Sequence, residues 1–147
     1  MIRQIFSKKF ALIFLSIYND ANSLLSPTIP PLDTPDVFLD QIKKQRNYVY
    51  ILDGKVVGFM SFRKERRGAE LTSLYVHPDS QGKGVGTALV AHFEKLTSSS
   101  KLHYIIALAN SPCSHRFYRK CGYETRQELI KTKSWEIAFI KFNQAVS

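Results

Sequence analysis

Residues Val76 to Ala88 read Val-His-Pro-Asp-Ser-Gln-Gly-Lys-Gly-Val-Gly-Thr-Ala. An apolar, strand-like run leads into this stretch, and a helical pattern follows it with Val85, Leu89, Phe93 and Leu96 on one face. Gly82, Gly84 and Gly86 can take positive φ angles and let main-chain amides approach a ligand, while the unpaired amides at a helix start favour an anion. Lys83 adds a positive charge. The chemistry this pattern supports is a phosphate cradle. Two common nucleotide loops do not fit it. A dinucleotide fingerprint needs a small residue at Thr87 or Leu89, depending on where it begins, and a P-loop needs Ser or Thr where Gly84 follows Lys83.

Gln81, Gly84 and Gly86 do match the acyl-coenzyme A signature of the GCN5-related N-acyltransferase (GNAT) family: Gln or Arg, two residues, Gly, one residue, Gly or Ala. Leu74-Tyr75-Val76-His77-Pro78 is similar to the phrase that leads into that loop in the family. Phe117-Tyr118-Arg119-Lys120-Cys121-Gly122-Tyr123 resembles its second signature, an aromatic-Tyr pair on a short helix followed by Gly and an aromatic residue. The resemblance covers the chain from Tyr48 to Phe142 and is nearest to small bacterial acetyltransferases whose strand before the loop carries a carboxylate.

The resemblance implies an α+β, three-layer α/β/α fold with a mixed, mostly antiparallel sheet splayed between its fourth and fifth strands. It implies acetyl-CoA as the acyl donor. The backbone of Leu74, Tyr75 and Val76 would pair with the pantetheine arm as an added strand does. Gln81, Gly82, Lys83, Gly84, Val85, Gly86 and Thr87 would hold the pyrophosphate. Family members often carry Asn-Ala-Ser at the end of the second splayed strand, whereas Ala109-Asn110-Ser111 looks transposed here, so Asn110 is carried over as a cofactor contact from a shifted backbone.

Aminolysis of a thioester needs a neutral amine, so a group must take the amine's proton. The resemblance gives that role to Glu70, directly or through water, and makes Tyr118 both a cofactor contact and the phenol that protonates the departing thiolate. Alignment of amine and thioester supplies rate as well. His77, His92, His103 and His115 lack metal spacing and read as loop or surface residues, so no metal is expected. Cys113 has no His and carboxylate partner in the sequence and reads as structural.

The elements that must position these groups follow from pattern. Met1 to Phe6 reads as a strand, and Ser7 caps a helix with Phe10, Ile13, Phe14, Ile17, Tyr18 and Ala21 at helical spacing. Four prolines from Pro27 to Pro35 make a loop, and Thr34 is expected to cap a second helix that ends near Asn47. Tyr48–Leu52 and Lys55–Phe62 form a hairpin across Asp53-Gly54. Arg63 to Gly68 reads as a turn, Ala69–Val76 as a strand, His77–Lys83 as a loop and Val85–Leu96 as a helix. A strand over Leu102–Ala109, a helix over Cys113–Lys120 stopped at Gly122, and strands over Thr125–Ile130 and Trp135–Phe142 complete one sheet covered by helices.

The 147 residues suit a single domain spanning 1–147, with 44% hydrophobic and 22% charged residues, unlike disordered chains. Cys113 and Cys121 make no disulfide framework, and a cytoplasmic protein is expected. The apolar run Phe10–Tyr18 is too short to span a bilayer, so no membrane partner is expected. The net charge of +9 favours anionic ligands. Two alternatives remain beside an enzyme acting on a small-molecule or peptide amine: an acyl-CoA sensor without catalysis, and a nucleic-acid binder using Arg63-Lys64-Glu65-Arg66-Arg67 and the run from Arg116 to Lys120. The second lacks ordered stacking aromatics, so no nucleic acid is expected. Monomer and homodimer are both open.

Overall fold

The computed structural model describes residues 1–25 and 27–143. In chain order the elements are β1 (Ile2–Ile5), α1 (Ala11–Leu25), α2 (Asp36–Lys44), β2 (Arg46–Leu52), β3 (Lys55–Glu65), β4 (Gly68–Val76), α3 (Val85–Leu96), β5 (Leu102–Leu108), α4 (Pro112–Lys120), β6 (Glu124–Thr125) and β7 (Glu136–Phe142). The seven strands form one mixed sheet in the order β1-β2-β3-β4-β5-β7-β6. Only the β4–β5 pairing is parallel among the registers seen, joining Ala69 to His103 and Glu70 to Tyr104. The α+β class and element order agree with the sequence reading. Contacts divide the chain into two compact units, 1–62 with 73–89 and 63–72 with 90–147.

The first unit is built on an aromatic core. Phe14 of α1 stacks on Phe59 of β3 with ring centroids 4.0 Å apart, and Phe38 of α2 meets both rings edge-on. Asp53 and Gly54 both take positive φ, the geometry of a tight hairpin. The hairpin register then slips. Leu52 pairs with Lys55 and Ile51 with Val56, but Tyr50 pairs with Gly58, which leaves Val57 as the extra residue of a β-bulge. That one-residue shift brings Asn47 opposite Ser61. The Ser61 hydroxyl donates to Asn47 Oδ1 at 2.6 Å, Gln41 Nε2 donates to Ser61 at 2.5 Å, and Ser73 of β4 donates to Gln41 Oε1 at 2.8 Å. Ser61 and Asn47 are fully buried, so this chain satisfies polar groups that would otherwise be costly.

Several boundaries differ from expectation here. Ser7 caps a 3₁₀ turn over Lys8–Phe10 that precedes α1. Pro35, not Thr34, occupies the N-cap of α2, and no side chain caps it. α2 stops at Lys44 because Asn47 Nδ2 takes the carbonyls of Ile42 and Gln45, pulling the chain into β2. Ile13 is partly exposed rather than core.

The second unit pairs β5 with β7 over seven residues and packs Tyr104, Ile130, Ala138 and Ile140 together. The expected turn at Arg63–Gly68 is shorter than its polarity suggested, since β3 continues to Glu65 and β4 starts at Gly68. Gly68 is needed there, because a Cβ on it would lie inside the contact distance of the Leu102 carbonyl oxygen. The expected strand Thr125–Ile130 reduces to Glu124–Thr125. Gln127 Oε1 accepts the Ala138 amide, replacing a ladder bond, and Leu129 N–H turns back to Arg126, while Ile130 drops into the core. His103 and His115 are buried, not loop or surface residues as their spacing suggested. The Thr97 hydroxyl donates to Phe93 C=O, so its oxygen accepts from His103 Nε2–H at 2.9 Å, and burial lowers the His103 pKa, keeping the ring neutral.

Gly68→Ala is expected to lower stability by about 1–3 kcal/mol, the usual range for overpacking a filled site, read as a drop in the denaturant midpoint.

Candidate functional site

The glycine loop and the helix start that follows it lie wholly within the first unit. β4 ends at Val76, and His77 turns the chain by capping a 3₁₀ turn over Pro78–Ser80. Its Nδ1 accepts the Asp79 amide at 3.2 Å, so Nε2 carries the ring proton and faces Asp20 Oδ2 of α1, also at 3.2 Å. His77 N–H donates to the carbonyl of Val57, the bulged residue of β3. The bulge therefore supplies the acceptor that fixes the head of the loop. Gln81 Nε2 donates to Val76 C=O at 3.0 Å, bracing the loop from inside, and its amide bonds Pro78 C=O.

Gly82 and Gly84 follow with φ of 77° and 83°, and a Cβ on either would meet nothing within 4 Å. There is open space beside both backbones. Gly86 was expected to share this conformation but sits in the first turn of α3, outside the positive-φ set. Its lack of a side chain leaves the helix start bare. Ala88 N–H makes the first bond of the helix, to Gly84 C=O, so the amides of Val85, Gly86 and Thr87 precede the ladder. Lys83 is exposed at the same turn.

Gly58 holds α3 in place, a role sequence reasoning missed. A Cβ there would stand 3.1 Å from Val85 Cγ1 and 3.2 Å from the Tyr75 carbonyl, so only Gly lets the helix start and β4 approach this closely. A glycine within an apolar strand pattern was the available signal. The Tyr75 ring packs between Tyr18 and Phe59.

The second unit carries Glu70, Tyr118 and Asn110. Glu70 is 8% exposed and accepts from Arg63 Nη2 at 3.0 Å and from the Tyr104 hydroxyl at 3.3 Å. Tyr104 lies beside it in the parallel ladder and also donates to Glu65 Oε2 at 2.5 Å. Arg63 and Glu65 stood out in the sequence only as part of a basic run and Tyr104 not at all, because their meeting with Glu70 depends on strand register. Asn110 is exposed in the turn between β5 and α4.

Tyr118 sits on α4, which His115 anchors by bonding the Leu108 carbonyl at 2.7 Å. The helix closes in a Schellman motif: Gly122 N–H bonds Arg119 C=O, Tyr123 N–H bonds Tyr118 C=O, and Gly122 takes φ 93°. Tyr123 then donates to Glu94 at 2.8 Å, and Lys141 ties Glu94 to the Cys121 carbonyl. The Gly-aromatic pair thus fixes the tyrosine's own helix turn. Tyr118 is 9% exposed, with its ring 5.7 Å from that of Phe139, and no group among the described residues bonds its hydroxyl. Burial, and then the nearby Cys121, push its pKa above the ordinary phenol value. It keeps its proton at neutral pH and is a donor. Cys113 is exposed and accepts from Arg116 Nη2.

Three comparisons bear on this arrangement. A family model described as the acetyltransferase (GNAT) family matches residues 14–123, three quarters of the chain. The chain belongs to that family. An uncharacterized N-acetyltransferase of Methanocaldococcus jannaschii, MJ1530, is 31% identical over 87 residues, 57% of this chain and 56% of its own length, so the match spans little more than half of that relative. The PaiA N-acetyltransferase of Thermoplasma acidophilum, solved in complex with coenzyme A, superposes with a TM-score of 0.81 at 15% identity, over 97% of this chain and 99% of that one. The ribosomal-protein-S18-alanine N-acetyltransferase of Escherichia coli gives 0.72 at 20% identity, over 95% and 90%. These two likenesses show a shared fold.

Removing Tyr118 is expected to leave the phenolate absorbance step near pH 10 unchanged in size, because the buried phenol does not ionise there. A spectrophotometric titration of Tyr118→Phe beside the wild type checks this.

Proposed function

We propose that the chain is an N-acetyltransferase that moves an acetyl group from acetyl-CoA to a primary amine by direct attack in a ternary complex. The observation that carries the reading is the open space beside Gly82 and Gly84 at a helix start whose amides have no place in the ladder. A diphosphate suits it: the helix-start amides outside the ladder are donors, no Cβ intrudes at Gly82 or Gly84, and Lys83 adds charge complementarity. When bound, acetyl-CoA supplies an acetyl group already activated as a thioester.

The protein's own groups divide the remaining work. The backbone of Leu74, Tyr75 and Val76 aligns an extended arm, with the Val76 carbonyl already accepting one bond from Gln81. Gln81, Gly82, Lys83, Gly84, Val85, Gly86 and Thr87 form the cradle, in which Gln81 acts by bracing. Asn110 is assigned a contact from the turn after β5. Glu70 takes a proton from the amine. Tyr118 gives one to the leaving sulfur, a role supported by its raised pKa and by a hydroxyl that no group among the described residues bonds. The balance is one proton released per amine acetylated, since the ammonium form loses two and the thiol keeps one. No helix among the described residues is long and apolar enough to cross a membrane. We assign the protein to the cytoplasm, acting as a single domain on a small-molecule or peptide amine.

The test is thiol release and mass analysis of the product with acetyl-CoA and a panel of amino acids, polyamines, lysine peptides and peptide N-termini. Turnover is expected on at least one class, with Tyr118→Phe lowering kcat by about 10²–10⁴ and changing KM for acetyl-CoA little. A full-rate Tyr118→Phe enzyme would remove the acid assignment, and no turnover on any amine would remove the enzyme reading.

A further inference from the structure

Glu70 is nearly buried, so a proton it takes must leave before the next turnover. The side chains around it form a continuous path. Tyr104, fully buried, holds its hydroxyl between two carboxylates, 3.3 Å from Glu70 Oε1 and 2.5 Å from Glu65 Oε2. Glu65 is more exposed than Glu70, its side chain reaching 29% against 11%. Arg63 ties the two ends together, donating from Nη2 to Glu70 at 3.0 Å and from Nε to Glu65 at 2.9 Å. Arg67 lies over the Tyr104 ring at 5.4 Å. The path thus runs from an enclosed carboxylate through a phenol to a carboxylate at the surface, and two arginines hold its members in register.

Resting on the assignment of Glu70 as base, we infer that Tyr104 and Glu65 carry the amine's proton from Glu70 to solvent. The bookkeeping closes without a further reactant. The N–H bond breaks with its electron pair left on nitrogen, and Glu70 gains the proton. The Glu70 carboxyl passes a proton to the Tyr104 oxygen as Tyr104 passes its own to Glu65, and Glu65 releases it to water. Both carboxylates and the phenol end as they began. Burial, then the bond to Glu65, raise the Tyr104 pKa, which disfavours a free phenolate and fits a hop in which the oxygen gains one proton while losing another. The charged and titratable groups named in this cluster are Arg63 and Glu65 of β3, Arg67 of the turn, Glu70 of β4 and Tyr104 of β5. Tyr104 and Glu65 are positioning and relay residues; neither is assigned a contact with substrate.

The experiment measures kcat in mixtures of light and heavy water for the wild type, Tyr104→Phe, Glu65→Gln and Glu70→Gln, using the amine found by the panel. Tyr104→Phe and Glu65→Gln are each expected to lower kcat roughly tenfold with KM for acetyl-CoA unchanged. The dependence of kcat on deuterium fraction should bow in the wild type, as for several protons in flight, and become linear in Tyr104→Phe. The bowing of that curve is the readout that a merely packing role for the phenol would not move. If Glu70→Gln is inactive while Tyr104→Phe and Glu65→Gln keep the wild-type rate and curve, the relay is wrong and the base assignment stands. If Glu70→Gln is fully active, the base assignment fails first. Glu65 is partly exposed, so Glu65→Gln decides the matter even if Tyr104→Phe folds poorly.

Discussion

One extra residue in β3 is the constraint on which the geometry of the glycine loop depends. The bulge at Val57 turns that residue's carbonyl toward the His77 amide and puts Gly58, the next position, where Val85 and the Tyr75 carbonyl come close. The same bulge shifts the hairpin register so that Asn47 faces Ser61, which completes the polar chain from Ser73 through Gln41. Loop head, helix start and strand end are therefore set by a single irregularity. Bulges commonly re-aim backbone near sites, and here the re-aimed backbone is the scaffold of the glycine loop.

The residues of the second unit follow a different logic, in which a backbone turn and a charge node hold a phenol still. Gly122 lets α4 close through a Schellman motif that bonds the Tyr118 carbonyl, while Tyr123, Glu94 and Lys141 anchor the closing turn. The Tyr118 hydroxyl is bonded by no group among the described residues, and burial keeps its proton on. Glu70 is the opposite case: its carboxylate is engaged on two sides, by a guanidinium and by a phenol. A donor that no described residue engages and a carboxylate wired to its neighbours are different devices.

Much of this was legible in the sequence, for identifiable reasons. Val85–Leu96 was bounded correctly because a glycine-rich loop opens it and Ser98–Ser100 close it. Asp53-Gly54 announced its hairpin because few dipeptides accept two positive φ values. What failed were features fixed by non-local pairing. A hairpin register counted from that turn alone would place Asn47 beside Met60, and only the bulge makes it Ser61. Gln127 ended β6 early by substituting its side chain for a ladder bond, which an alternating pattern does not reveal. Gly86 carried the right residue type for the wrong reason, serving as a bare helix turn rather than a positive-φ hinge. The cluster of Arg63, Glu65 and Tyr104 around Glu70 joins Glu65 to Tyr104 across 39 positions and depends on the short parallel ladder that Gly68 permits.

The central claim is that this helix start and its two left-handed glycines bind a diphosphate. Calorimetric titration of coenzyme A into the whole chain tests it most directly. The account predicts saturable binding of one molecule per chain, weakening as salt is raised because charge complementarity contributes to it. Absence of any binding heat or competition with coenzyme A at millimolar concentration, on a chain shown to be folded, would contradict it.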